Sequence, residues 1–440
     1  MQVREAALLS LERCEKSGKY SNLEVDSAIK KYGFTGHDRA FFTALVYGVI
    51  ERRITLDYFL AAFSSLPLEK IEARVAMILR LGLYQLLFLD SIPDRAAVNE
   101  SVELAKLHTH KGTAGFVNAV LRQAVRQKEH LPYPEKDSLS YDSVYYACPT
   151  WLCAMWRDMY GEEKSRAILG AINRNPHITL RVNRLKTDRE RLMARLTDEG
   201  IFCRASSLSQ DGILLDEYTP VSLLTPLAEG LCIVQDEASQ LAADAVGARP
   251  GETVIDTCSC PGGKSFGMAM GMENRGRLLS LDLHENKLSL VKSGAERLGI
   301  SIIETAVQNG TKRREEWREL ADRVLCDVPC SGLGVIAKKP DLRHKSPTEI
   351  EGLPEIQYQI LCNGAYYVKP GGTLVYSTCT LNKKENEEIV TRFLKEHPSF
   401  LPSAEGMPLG RTFMTFFPDE TATDGFFLAR FVKKNDESKA

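Results

Sequence analysis

Thr253-Val254-Ile255-Asp256-Thr257-Cys258-Ser259-Cys260-Pro261-Gly262-Gly263-Lys264 is the stretch whose reading decides the fold. A short apolar and β-branched run ending in aspartate reads as a buried strand, and the glycine pair turns the chain into a helix. The same grammar repeats downstream. Arg277-Leu278-Leu279-Ser280-Leu281 ends at Asp282, a helix follows over 285–298, and a weaker strand covers 302–307. A strand over 324–327, a helix rich in Ile, Leu and Tyr over 349–368 and a strand over 373–378 complete the series. Upstream, Asp236 is placed to cap a helix over 238–246. Strand and helix in alternation is the βαβ pattern of a doubly wound, Rossmann-like α/β sheet. In such sheets ligands gather at the loops beyond the strand C-termini.

Two of those loops carry a cysteine: Asp327-Val328-Pro329-Cys330-Ser331-Gly332 and Ser377-Thr378-Cys379-Thr380. A buried cysteine on its own is usually a small core hydrophobe. Two thiols delivered to one rim of one sheet are instead a candidate for covalent chemistry.

Three ligands compete for the turn Pro261-Gly262-Gly263-Lys264-Ser265. A P-loop needs glycine five positions before Gly263, where Cys258 stands, so a nucleoside triphosphatase is rejected. The Gly-x-Gly-x-x-Gly dinucleotide fingerprint is absent as well. What remains is a glycine turn after the first strand and an acid, Asp282, after the second. Backbone N–H groups of such a turn approach a ligand closely, and a second-strand carboxylate accepts the hydroxyls of a ribose. An adenosine cofactor without phosphates fits, and S-adenosylmethionine meets that description.

With 440 residues the chain is too long for one ordinary core, and 44% hydrophobic with 26% charged residues is a globular balance. The net charge of -2 predicts no global attraction to nucleic acid, so an RNA site must be a local patch. Eleven cysteines without any Cys-x-x-Cys argue against a disulfide framework and a zinc ribbon, and fit a reduced, cytoplasmic setting. The first seven residues lack the apolar core of a signal peptide. The most apolar stretch, 78–89, is short and interrupted by Arg80, so no membrane span is expected. His37, His108 and His110 have no ligand-spaced partners, and no metal is expected.

Residues 1–130 read as an all-α bundle. Asp38 is placed to cap a helix carrying Phe41, Phe42, Leu45, Val46, Val49 and Ile50, and apolar residues at helical spacing mark three more segments up to Leu121. Leu131-Pro132-Tyr133-Pro134 opens a linker, taken as 131–144. Over 145–234 the pattern turns to short mixed elements, with Arg166, Arg174, Arg181, Arg184, Lys186, Arg189, Arg191, Arg195 and Arg204 crowded together. Such a run is either a solvated face or a place where a phosphate backbone binds. In Leu180-Arg181-Val182-Asn183-Arg184-Leu185-Lys186 the alternation would put basic side chains on one face of a strand. The α/β domain is taken as 235–436.

Cys258 to Lys264, Asp327 to Ser331 and Ser377 to Thr380 resemble the motifs of the RNA (cytosine-5)-methyltransferase family. Lys339-Pro340-Asp341-Leu342-Arg343 and Asp424-Gly425-Phe426-Phe427 are supporting matches. Asn99 to Lys106 and Gly115 to Arg122 resemble helices of the NusB family, an RNA-binding helical fold. Together these parts cover nearly the whole chain, which is similar to the bacterial small-subunit rRNA methyltransferase B group (RsmB, also Sun or Fmu).

The resemblance implies methylation of carbon 5 of a cytosine in 16S rRNA, with the base in a loop or flipped out of its stack. It implies nucleophilic attack by Cys379 and a role for Cys330 in resolving the covalent adduct. Spacing alone does not separate the two thiols, and DNA cytosine methyltransferases would nominate Cys330. Asp327 and Lys264 complete the catalytic set. Cofactor contacts are implied for Cys258, Ser259, Cys260, Pro261, Gly262, Gly263, Lys264, Asp282, Asn309 and Asp327. Asn309 stands where the family usually has Asp, Cys260 where it has Ala, and Ser265 where it has Thr. Lys338, Lys339, Arg343, His344 and Lys345 are candidates for flanking phosphates. A monomer is expected. The competing readings are a methyltransferase acting on tRNA, 23S rRNA or DNA, and a non-catalytic RNA-binding or antitermination factor.

Overall fold

The computed structural model describes residues 2–17, 21–216, 221 and 224–435. The last residue assigned to the α/β domain, 436, and residues 217–220 and 222–223 of the basic segment lie outside them. Backbone contacts divide the chain into two compact units. One runs to Asn173 and takes in Lys338–Lys345; the other starts at Arg174, runs to Ala337 and resumes at Ser346.

The first unit is helical: α1 (Val3–Ser17), α2 (Ser21–Tyr32), α3 (Gly36–Phe63), α4 (Ala73–Phe88), α5 (Asp94–His108), α6 (Thr113–Gln127), α7 (Leu139–Tyr146), α8 (Thr150–Tyr160) and α9 (Glu162–Ala171). α4 is apolar on nearly every side, so it can only sit at the centre, and it packs on α1, α3, α5 and α6. Arg80, inside this apolar helix, is buried but makes a two-pronged bond to Asp57 (2.6 and 3.1 Å). α3 begins at Gly36, so Asp38 lies in its first turn and does not cap it. Helices α7 to α9 belong to this unit. Leu152, Cys153, Trp156, Ile168 and Leu169 recur at helical spacing there and are buried, which is why the segment is helical.

The second unit holds two sheets. β1 (Thr179–Val182), β2 (Cys203–Ala205), β3 (Gly212–Leu215) and β4 (Cys232–Val234) form an antiparallel sheet in the order β2-β3-β1-β4, with α10 (Arg189–Asp198) and the short α11 (Thr225–Ala228). The basic residues of this region do not form one free face. All of β1 is buried, and Arg181 bonds Asp211 and Asp244. Arg184 pairs with Asp211, Arg195 with Glu229 and Glu199, Arg204 with Asp216, Arg191 with Asp188, and Arg189 with Glu190; Arg166, in the first unit, pairs with Asp142. Several of these acids come from distant parts of the chain, which a count of local charge cannot see.

The larger sheet follows α12 (Glu237–Val246), which Asp236 caps through a 3.0 Å bond from Ala238 N. Its elements are β5 (Thr253–Asp256), α13 (Gly263–Gly271), β6 (Arg277–Asp282), α14 (Glu285–Leu298), β7 (Ile303–Val307), β8 (Ala321–Asp327), α15 (Leu353–Tyr367), β9 (Val368–Thr378), α16 (Glu387–Glu396), β10 (Phe400–Pro402), β11 (Phe413–Phe416), α17 (Pro418–Thr421) and β12 (Phe426–Lys433). The order is β10-β12-β9-β8-β5-β6-β7, with β11 on β12. β5 to β9 are parallel, and β12 returns antiparallel beside β9. The strand order reverses at β5, with β6 on one side and β8 on the other, so a crevice opens at its C-terminal end. The apolar layers on the two faces of this sheet are separate clusters. Among the described residues no helix is long and apolar enough to cross a membrane.

Candidate active site

Five adjacent parallel strands bring the sequence-nominated residues to one rim. β5 leads into the turn 258–264, β6 ends in Asp282, Asn309 lies two residues past β7, Asp327 ends β8, and Cys379 follows β9. The turn is built tightly. Ser259 N bonds Leu281 O and Gly262 N bonds Ser259 O, both at 2.7 Å. Gly262 has φ +115°, and a Cβ there would lie 2.5 Å from the Phe266 ring, so only glycine fits. Beneath the turn Asp256 is buried, accepting from Ser265 Oγ at 2.6 Å, and burial pushes its carboxyl up to about 7. Cys258 packs against the apolar layer, and burial raises its thiol pKa. Cys260 is pushed up to about 12, first by burial and then by the Asp282 carboxylate beside it.

Lys264, in the first turn of α13, donates from Nζ to Asp327 Oδ2 at 2.7 Å and lies 5.2 Å from the centre of the Phe426 ring. Asp327 Oδ1 accepts from Ser377 Oγ at 2.7 Å. Burial works against the ammonium charge, but Asp327, with a smaller contribution from Cys379, holds Lys264 above the ordinary lysine value. The two loop cysteines meet: Cys330 Sγ and Cys379 Sγ are 3.3 Å apart, and both residues are partly exposed. The bond to the Cys379 sulfur, burial and the charge of Glu385 together drive the Cys330 thiol well above its usual pKa. Lys264, Asp327, Cys330 and Cys379 are thus one group.

Other nominated residues behave differently. The side-chain oxygen of Asn309 is occupied locally, accepting from Thr311 N (3.0 Å) and Thr311 Oγ1 (2.8 Å), so its free valence is the amide NH2. Arg343 is not available to phosphate. It is buried in the helical unit, where its guanidinium bonds Asn173 Oδ1 and the carbonyls of Glu51, Tyr146, Ala147 and Ile172. His344 Nε2 lies 3.1 Å from Ile50 O. Of that run, the guanidinium of Arg343 is therefore withdrawn from the phosphate candidates, because its charge is answered within the helical unit.

Sequence reasoning missed Glu385 and Gln357, which tie the two cysteine loops together; Glu385 stands among lysines and acids that read as a solvated run. It also missed Gln235, whose buried amide has no protein partner at either end and whose Nε2 lies 3.4 Å from where a Cβ on Gly263 would be. Ser259 Oγ, inside the turn, is likewise buried, with the neighbouring Cys260 thiol beside it. Unmade buried hydrogen bonds of this kind mark places that a ligand completes. The glycine cradle, the unpartnered Gln235 amide beside it and the Asp282 carboxylate therefore fit an adenosine ligand.

A Bacillus subtilis protein named as a probable ribosomal RNA small subunit methyltransferase B is 40% identical over 98% of this chain and 99% of its own length. This chain belongs to the ribosomal RNA small subunit methyltransferase B family. Within that family, the Vibrio cholerae methyltransferase B is 31% identical over 99% of this chain and 98% of its own length. Family models match in three parts: the NusB family over residues 1–126, an RsmF/B-like ferredoxin-like domain over 148–222, and the 16S rRNA methyltransferase RsmB/F family over 243–432. One crystal structure superposes over 98% of this chain and 99% of its own with a TM-score of 0.84 at 26% identity. A methyltransferase homologue from Pyrococcus horikoshii covers 68% of this chain and 100% of its own, with a TM-score of 0.60 at 26% identity.

Proposed function

We propose that this RsmB-family chain methylates carbon 5 of a cytosine in 16S rRNA from S-adenosylmethionine, through a transient bond between Cys379 Sγ and carbon 6 of the base. The observation that carries this reading is the pair of partly exposed thiols, 3.3 Å apart, on the same rim as the Lys264–Asp327 pair. A methyltransferase acting on an oxygen or an exocyclic nitrogen has no use for two such sulfurs. Carbon 5 of cytosine is a poor nucleophile, and thiolate addition to carbon 6 makes it enamine-like.

The two sulfurs have unequal surroundings, which supports unequal roles. Cys379 is among the groups that hold Lys264 above the ordinary lysine value, so the Lys264 ammonium lies on the side of that sulfur. Cys330 keeps its proton, held by its bond to Cys379, by burial and by Glu385. Cys379 therefore attacks carbon 6, while Asp327 accepts from the cytosine 4-amino group and Lys264 steadies the carboxylate. The glycine turn, Ser259, Asp282 and Asn309 hold the adenosine end of the cofactor, with Asn309 donating because its oxygen is taken. S-adenosylmethionine supplies an electrophilic methyl group. Carbon 5 then loses its proton to a solvent base, its electron pair restores the C5–C6 double bond, and the C6–S pair returns to Cys379. The Cys330 S–H, 3.3 Å away, stabilises the departing sulfur.

The helical unit and the antiparallel sheet are read as RNA-holding parts, and the setting as cytoplasmic. The decisive experiment uses radiolabelled S-adenosylmethionine and small-subunit rRNA. Cys379→Ala abolishes methylation, and Cys330→Ala leaves a protein–RNA adduct that survives denaturing gels. Abundant methylation by Cys379→Ala overturns the assignment, and preference for a DNA competitor overturns the substrate.

A further inference from the structure

We infer that Glu385 is the positioning residue that sets Cys330 for release of the covalent base adduct, a role that rests on the reading above. The two sulfurs are not held in the same way. Cys379 follows directly on a strand paired on both sides, Ser377 with Asp327 of β8 and Thr378 with Phe427 of β12. Its carbonyl accepts from Gly334 N at 3.0 Å, and Thr378 Oγ1 bonds Asn386 at 2.6 Å. Cys330 has no such frame. It lies three residues beyond β8, after a proline that has no N–H to give, and the last ladder-like bond before it is Val328 N to Ser377 O at 3.2 Å.

What brackets Cys330 is Glu385. The residue after the cysteine, Ser331, donates to it twice, from its N–H (2.8 Å) and from its hydroxyl (2.6 Å). The residue before, Pro329, has its carbonyl bonded by Gln357 Nε2 at 3.0 Å, and the same amide donates to Glu385 at 2.8 Å. Asn382 Nδ2 adds a fourth donor at 2.9 Å. Glu385, Ser331 and Gln357 are all fully buried. Glu385 is itself pinned, its carbonyl accepting from the Tyr376 hydroxyl at 2.6 Å. Four donors converge on two oxygens, and among the described residues no cation pairs with them.

A buried carboxylate without a counter-ion is an expensive way to hold a loop, because its desolvation must be offset entirely by hydrogen bonds. A glutamine would pack as well, yet it would turn one acceptor into a donor that faces other donors. The carboxylate makes sense if the loop must be both rigid and negative behind one particular thiol. Both features serve Cys330. The bracket aims its S–H at the sulfur that must leave, and the charge opposes loss of that proton. Sequence spacing gives no hint of this, since Glu385 is 54 residues from Ser331 and 28 from Gln357.

The test uses the full chain with both cysteines intact. Glu385→Gln is expected to lower multiple-turnover methylation about 100-fold, the scale of a misplaced catalytic group, while the denaturant-resistant protein–RNA adduct accumulates. Formation of that adduct in the first turnover is expected to slow far less than release. A merely structural role would lower attack and release together, so a parallel loss with no adduct overturns the inference, as does turnover at the normal rate. If Glu385→Gln does not fold, Ser331→Ala, which removes the hydroxyl arm to Glu385 together with that hydroxyl's 2.7 Å contact to Thr380 Oγ1, is expected to show the same accumulation at smaller size, and its absence there also overturns the role. Failure of Cys330→Ala to leave any adduct removes the covalent reading itself, a different result from adduct formed by Cys330→Ala but not by Glu385→Gln.

Discussion

Asp256→Asn is expected to stabilise the protein, and to do so more strongly as the pH rises. Asp256 is 1% exposed at the end of β5, directly beneath the cofactor turn, and burial raises its pKa from 3.8 to about 7. Its hydrogen bonds from Ser265 Oγ (2.6 Å) and Cys258 N (3.4 Å) offset only part of that penalty. The sign follows from proton binding. Between the unfolded and the folded pKa the native state holds a proton that the unfolded chain has lost, so stability falls as pH rises through this window and levels off above the folded value. A shift of about 3 units at about 1.4 kcal/mol each makes the penalty about 4 kcal/mol above neutrality and about 2 kcal/mol near pH 5.5. Asparagine keeps the size and an acceptor for Ser265 but cannot ionise. Urea titrations of both proteins across this range, read as the difference between them, cancel every other titrating group. A difference that grows by about 2 kcal/mol from pH 5.5 to pH 8 is expected. A difference independent of pH, or one that shrinks as pH rises, refutes a protonated, desolvated Asp256.

Arg343→Met removes the guanidinium that answers carbonyls at the C-terminal ends of α7 and α9 and leaves those acceptors bare, so the helical unit is expected to lose about 3 kcal/mol or more in thermal unfolding. An unchanged transition would show that water replaces the side chain without loss. Gly334→Ala places a Cβ 1.8 Å from Gly425 O, which must part the Cys330 and Asp424 loops. Methylation is expected to fall at least 10-fold with cofactor binding by calorimetry retained; full activity would show that the loops have room. Dilute hydrogen peroxide is expected to join Cys330 to Cys379, two thiols and one peroxide giving a disulfide and two waters. Methylation would stop and return with dithiothreitol, and mass spectrometry finding no such crosslink after inactivation would refute the 3.3 Å contact.

The parts of the site that were legible in sequence are those fixed by local geometry. Thr253–Asp256 is the strand its β-branched residues imply, Asp282 ends the next strand, and Cys379 follows the last parallel one, because the apolar run stops where the chain leaves the sheet; the starts were read late, at 324 for Ala321 and at 373 for Val368. A residue at a strand's C-terminal end is then at the rim whatever the rest of the fold does. Charge was read less well for the opposite reason: its meaning is set by partners that the chain brings from far away. Arg181 looked like one side of a basic face and is sealed against Asp244, 63 residues on. Arg343 looked like a phosphate ligand and is held by five acceptors in the helical unit. Glu385, one acid in a run of lysines and acids, is the buried hub between the two thiol loops. Asp38, two residues after the glycine that starts the helix, shows the same limit at short range. An apolar side chain announces burial by its own chemistry, whereas a charged one is buried only where several donors or acceptors converge, and that convergence is a property of the folded chain alone.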